Sequence, residues 1–285
     1  MKRRHLIASA ALAIGMATGA HAQTKWDLPA AYPATNFHSV IKRAVQGGQA
    51  QMGEILLVNF ANEWQPFGVD GLPFLATSYA DARKLYAAQK PLLQKKLAEQ
   101  GMMLLYAVAW PPQGLYSKKP INSVADLKGS KWRAYSPATA RIAELVGAQP
   151  VTVQAAELSQ ALATGVVETN MTSGATGVDS KFYEHLKFYY DVQAWIPKNA
   201  VIVNKRAFDA LDKPTQDAIL KAGADAEARG WTASEKVNTD TLAVLRANGM
   251  QVQPPSAQLR ADLQKVGEAM LKEWSEKAGA EGNEL

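Results

Sequence analysis

The sequence contains no cysteine. That excludes disulfides, thiolate nucleophiles, thiolate zinc sites and iron–sulfur clusters. Histidine is nearly as scarce: there are four, and two of them, His5 and His21, lie within the first 22 residues. The other two, His38 and His185, sit on different segments with no carboxylate at metal-ligand spacing, so no metal and no cofactor is expected. No Gly-x-Ser-x-Gly elbow, phosphate-cradling glycine loop or dinucleotide fingerprint occurs. A Ser–His–Asp grouping assembled only in three dimensions stays open. No block of lysine and arginine reads as a nucleic-acid stripe. Beyond the N-terminus no apolar run approaches the ~20 residues of a membrane span, so the chain is not expected to be membrane-embedded. There is no internal repeat and no low-complexity tract.

What is present begins at the first residue. Met1-Lys2-Arg3-Arg4 is basic, Leu6 to Met16 is almost wholly apolar, and Ala20-His21-Ala22 is a small-x-small site. This is the layout of a secretory signal peptide over residues 1–22, cleaved after Ala22, and it implies export to the periplasm. An uncleaved anchor is the alternative, disfavoured by the shortness of the run. The formal net charge of +5 includes Lys2, Arg3 and Arg4, so the mature chain is near +2. Its length, ~260 residues, suits one large domain or two small ones, and 47% hydrophobic residues supply a core.

Short apolar runs alternate with helical stretches, the mark of an α/β fold. A helix is predicted from Tyr79 to Gln100, capped by Ser78, stopped by Gly101 and broken at Pro91. Met102 to Trp110 reads as a buried strand, and Pro111-Pro112-Gln113-Gly114 as a turn. Then follow a one-turn helix at 123–129, a strand at 131–135, a helix at 138–146 and strands at 151–153 and 166–171. A helix at 156–163 separates the last two, and the run from Tyr189 to Trp195 reads as one more strand. Asp212-Lys213-Pro214 starts a helix that runs to Asn248-Gly249, on the order of 50 Å at 1.5 Å per residue. Its interior glycines, Gly223 and Gly230, either bend it or divide it into two helices joined near Gly230. An amphipathic helix from about 256 to 277 precedes a polar tail, 279–285, expected to fray.

Tryptophan is abundant, with seven, and aromatic–amide clusters recur. They are Asn36-Phe37-His38, Asn62-Glu63-Trp64-Gln65, Trp110-Pro-Pro-Gln113, Trp132-Arg133-Ala-Tyr135 and Trp195-Ile-Pro-Lys-Asn199. Most fall where a strand meets a loop, the usual place for ligand contacts in open α/β sheets. Any single tryptophan among them is more economically a core residue.

At Ile121-Asn-Ser-Val-Ala-Asp-Leu-Lys-Gly-Ser-Lys-Trp-Arg133 the chain resembles the solute-binding subunits of TRAP-type (tripartite ATP-independent periplasmic) transporters. The likeness continues through Val146-Gly-Ala-Gln-Pro150, Ala156-Glu-Leu-Ser-Gln-Ala-Leu-Ala-Thr-Gly-Val-Val167, Val69-Asp-Gly-Leu-Pro-Phe-Leu75 and Asn204-Lys-Arg-Ala-Phe208. It implies a two-lobed periplasmic binding protein with a long helix spanning both lobes. It further implies capture of a small organic acid, hand-over to membrane permease subunits, and no enzymatic activity. The lobes would comprise 23–120 plus about 200–225, and 121–199 plus about 245–285, with 213–248 as the spanning helix. The arginine ending the central motif, here Arg133, would clamp the ligand carboxylate, as a planar fork of donors can.

Departures from the family pattern narrow the ligand. Gln113 stands where sialic-acid binders carry a second arginine, and Thr172 where other members carry asparagine. Trp110, Trp132 and Trp195 are candidates for an aromatic wall, and Ser173, Phe37 and Trp64 complete the expected ligand-binding set. One clamp and such a wall imply a monoacid with an apolar or aromatic body, with keto and hydroxy acids among the candidates. A second departure is structural: one βα unit of the first lobe is missing near 39–41. An exported enzyme using His38 or His185 as base, and a sensory lobe serving a membrane receptor, remain alternative readings.

Overall fold

The computed structural model describes residues 25–28 and 38–285. The leader over 1–22 and Phe37 lie outside the described residues, as do the side chains of His38 and Ser39. Among the described residues nine strands form two sheets. They are β1 (Met52–Leu56), β2 (Met102–Ala109), β3 (Gln113–Ser117), β4 (Lys131–Ala134), β5 (Gln149–Thr152), β6 (Thr169–Ser173), β7 (Phe188–Tyr190), β8 (Lys198–Asn204) and β9 (Gln251–Gln253). The helices are α1 (His38–Gln46), α2 (Tyr79–Glu99), α3 (Pro137–Leu145), α4 (Leu158–Ala163), α5 (Gly174–Asp179), α6 (Lys205–Asp209), α7 (Lys213–Ala247) and α8 (Ala257–Asn283).

The first lobe is built on a three-stranded antiparallel sheet in the order β1-β8-β2. The second holds a six-stranded mixed sheet in the order β5-β4-β6-β3-β7-β9. The sheets place the division of the chain at Trp110–Pro112. Thus β3, counted with the first lobe on sequence, is hydrogen-bonded between β6 and β7 of the second. The other crossing, residues 191–197, returns the chain to the first lobe. There β8 is the central strand, an element absent from the expectations above. The aromatic run was expected to be strand through Trp195, but pairing stops at Tyr190.

Each lobe has its own core. Ile55, Leu104, Ala107 and Ile202 pack with Leu93 and Trp231 in the first. Leu115, Trp132, Met171 and Trp195 pack with Leu259, Leu263 and Met270 of α8 on one face of the second sheet. Tyr116, Tyr189, Leu158 and Phe182 meet Leu242 and Leu245 of α7 on its other face. The same helix α7 therefore serves both lobes, since Trp231 near its middle lies in the first core.

The long helix is one continuous element of 35 residues, capped by Asp212, whose carboxylate accepts the Thr215 N–H at 2.9 Å. Its glycines do not break it. They admit close contact with β2, because a Cβ at Gly223 would lie 2.9 Å from Leu105 and one at Gly230 2.6 Å from Val108. Pro91 likewise leaves α2 unbroken. Its missing N–H falls on an outer face, where Ala87, the would-be acceptor residue, is exposed to water. The expected fraying tail is also ordered as helix: α8 turns at Gly279, at φ 67°, and Gly282 then packs against Trp274.

Candidate ligand-binding cleft

The two crossings are tied together side by side. Trp110 N–H donates to Pro197 O at 2.7 Å, Gln113 N–H to Trp195 O at 3.0 Å, and Ala194 N–H to Gln113 O at 2.9 Å. Pro111, Pro112 and Pro197 restrict the same residues to a few backbone angles. Between the lobes, then, lies a narrow and stiff pair of connections. The C-terminal ends of β4 and β6 and the start of β3 all open toward it.

Arg133 lies on β4 and is 4% exposed. Alternation along the strand sends Trp132 into the core and Arg133 and Tyr135 to the opposite face. The guanidinium carbon sits 4.8 Å from the Tyr135 ring centroid, and Nε donates to Val153 O at 2.9 Å. Tyr135 is fixed in turn by the start of α3, where Ser136 and Thr139 cap each other reciprocally. Its own backbone N–H donates to Thr139 Oγ1 at 3.0 Å. Its hydroxyl donates to Gln113 Oε1 at 3.1 Å, and Gln113 Nε2 donates to Pro111 O at 2.7 Å. Across the sheet Gln113 pairs with Ser173 and Gly114 with Thr172. The Trp110 indole N–H donates to Ser173 Oγ at 2.8 Å, closing the wall between crossing and lobe.

The structure therefore brings together five of the sequence-predicted residues: Arg133, Gln113, Trp110, Thr172 and Ser173. The others take different positions. Trp195 and Trp132 are buried in the core of the second lobe beside Leu115 and Met171. Trp64 packs edge-on against Phe67, with Lys96 over its ring, on the flank of the first lobe. Both indoles thus fill the apolar interior of the second lobe, while the Trp195 carbonyl accepts the Gln113 N–H at 3.0 Å. His185 follows a short turn on the outside of the second lobe, and its imidazole makes no hydrogen bond to any described residue. Among the described residues no cluster of His, Asp and Glu could hold a metal, and no helix is long and apolar enough to cross a membrane.

Two residues outside the expected ligand-binding set lie beside it. Tyr135 stands two positions from Arg133 in a strand, so the period of two could have found it. Asn170, fully buried on β6, has both amide atoms without a partner. It takes the same face as Thr172, two residues on, and no pattern in the sequence marks it.

Two α/β lobes joined by paired short crossings, with an arginine-bearing face turned to the junction, define the architecture of a two-lobed solute-binding protein. The chain belongs to the bacterial extracellular solute-binding proteins, family 7, whose pattern it matches over residues 39–277. It is 56% identical to DctP6, a Bordetella pertussis extracytoplasmic solute receptor binding pyroglutamic acid, with a TM-score of 0.88 over 92% of this chain and 97% of that one. A TRAP solute-binding protein of an unidentified marine microbe, specific for pyroglutamate, is 41% identical, with a TM-score of 0.86 over 92% and 96% of the two chains. A solute-binding protein of Albidiferax ferrireducens is 27% identical over 216 residues, which are 73% of this chain and 63% of the relative. The chain thus spans less than two thirds of that curated relative's length. These relatives are described as receptors and binding proteins, not as enzymes.

Proposed function

We propose that this chain is the periplasmic solute-binding subunit of a TRAP-type transporter, and that it captures a small cyclic monocarboxylic acid of the pyroglutamate type for membrane permease subunits. Arg133 carries this reading: a guanidinium held rigidly at a strand end, over Tyr135 and beside the lobe junction. Its planar fork pairs bidentately with a carboxylate. The rest of the cleft set is Gln113, Trp110, Thr172 and Ser173. The identity shared with receptors that bind pyroglutamate favours that acid over the aromatic acids the tryptophans first pointed to.

The test is a thermal melt of the chain from Gln23 with pyroglutamate, sugar acids, keto acids and aromatic acids. A ligand at a hundred times its dissociation constant adds about 2.7 kcal/mol. For a chain of this size that raises Tm by about 5–10 °C. The shift should appear with pyroglutamate and vanish in Arg133→Ala. A shift only with sugar acids, or one that survives Arg133→Ala, overturns the proposal.

A further inference from the structure

Every polar atom of Gln113 is hydrogen-bonded. Its backbone N–H and C=O are bonded to Trp195 and Ala194 of the other crossing. Its side chain is almost wholly buried, with the residue 2% exposed. An amide can be placed either way round, but here the partners decide. Pro111 O can only accept, so the group 2.7 Å from it must be the NH₂. The amide oxygen must then face the Tyr135 hydroxyl at 3.1 Å, and that hydroxyl must donate. Reversal would set two carbonyl oxygens against each other and leave a buried acceptor unpaired. Pro111 O takes one Nε2 hydrogen, and the other has no acceptor among the described residues. The tyrosine that fixes this polarity also supports the Arg133 guanidinium on its ring. Clamp and amide therefore belong to one rigid assembly, Arg133–Tyr135–Gln113–Pro111.

We propose that Gln113 is a specificity-determining residue that selects acids carrying a ring carbonyl oxygen as a second acceptor, and that Tyr135 is the positioning residue that fixes its amide for that task. Arg133 takes the carboxylate and the remaining Gln113 N–H takes the carbonyl. A ring acid lacking the carbonyl leaves that donor buried and unsatisfied, which a site built for the bond rejects strongly. This inference rests on the reading of Arg133 as the carboxylate clamp.

The experiment is calorimetric titration of the wild-type chain, Tyr135→Phe, Gln113→Met and Arg133→Ala, each first shown to melt cooperatively. Three probes are used: pyroglutamate, its lactone analogue with ring oxygen in place of N–H, and cyclopentanecarboxylate. Wild type should bind the two carbonyl-bearing acids within about tenfold of each other, and cyclopentanecarboxylate roughly a hundredfold or more weaker. Tyr135→Phe should weaken both carbonyl-bearing acids about tenfold and leave cyclopentanecarboxylate unchanged, while Gln113→Met should erase the preference. A parallel loss for all three probes in Tyr135→Phe makes that residue merely structural and overturns the proposal. Equal wild-type affinity for cyclopentanecarboxylate does the same for Gln113. Binding that persists in Arg133→Ala, or a folded wild type that binds none of the probes, overturns the clamp reading and this inference with it.

Discussion

Asp70 and Lys198 meet with neither side chain exposed, Nζ lying 3.1 Å from Oδ2. The Lys198 backbone N–H donates to the same oxygen at 2.8 Å. The Nζ contact is an ion pair rather than an aligned hydrogen bond, and Oδ1 has no partner. Burial pushes the Asp70 carboxyl above its ordinary range, and the charge of Lys198 opposes that without reversing it. Breaking such a pair from one side strands a charge, so Asp70→Asn should cost about 3–5 kcal/mol in urea unfolding. The double change Asp70→Leu with Lys198→Met should recover most of that loss. A double variant as unstable as the single one would show that the pair's hydrogen bonds matter more than its charge. Sequence could not have found this pair: 128 residues separate its members, and a lone lysine in a loop-like stretch reads as exposed.

At the scale of elements, α7 presses its glycine side against β2. An Ala at Gly230 gains about 1 kcal/mol of helix propensity. Its Cβ would nevertheless meet both Val108 methyls, at 2.6 and 2.7 Å, and a β-branched side chain has no easy rotamer to yield. Gly230→Ala should therefore destabilise by about 1–3 kcal/mol; stabilisation would mean that the helix shifts freely on the sheet. Local signals placed α2 and α7 well, since Ser78 and Asp212 each cap a helix through the backbone N–H three residues on. Strand β8 was illegible for the opposite reason. Its first residues, Lys198 and Asn199, look polar, and only Asp70 and Glu54 from elsewhere in the first lobe make their burial possible.

At the scale of the molecule, the lobes are bound by more than their crossings. Helix α7 contributes Trp231 to one core and Leu242 and Leu245 to another. The Trp274 indole of α8 donates to Gln65 O at 3.1 Å. Calorimetry should therefore show a single cooperative transition, and two resolved peaks would mean that the three-stranded first lobe folds apart from the second. That measurement also bears on the βα unit proposed to be missing near 39–41. Acid should weaken the whole. Backbone N–H groups of Asn122 and Ser123 hold Asp126 below its usual range, Thr215 does so for Asp212, Arg141 for Glu273 and Lys95 for Glu281. A carboxylate lowered in the folded state stabilises fully above its unfolded value and loses that contribution as pH falls through the folded one. Tm should accordingly hold near neutrality and fall below about pH 4.

The sequence by itself determined the α/β class, the long helix, the central motif with its arginine and the family. Each is written in neighbouring residues, as a cap, a period or a motif. Only the tertiary structure decided which tryptophans are buried in the core, that β3 belongs to the second lobe, that β8 is the centre of the first, and which way the Gln113 amide points. These depend on partners tens to more than a hundred residues away: Gln113 on Tyr135, Trp110 on Ser173, Lys198 on Asp70. Burial and hydrogen-bond direction are properties of what surrounds a side chain, and folding alone supplies those surroundings.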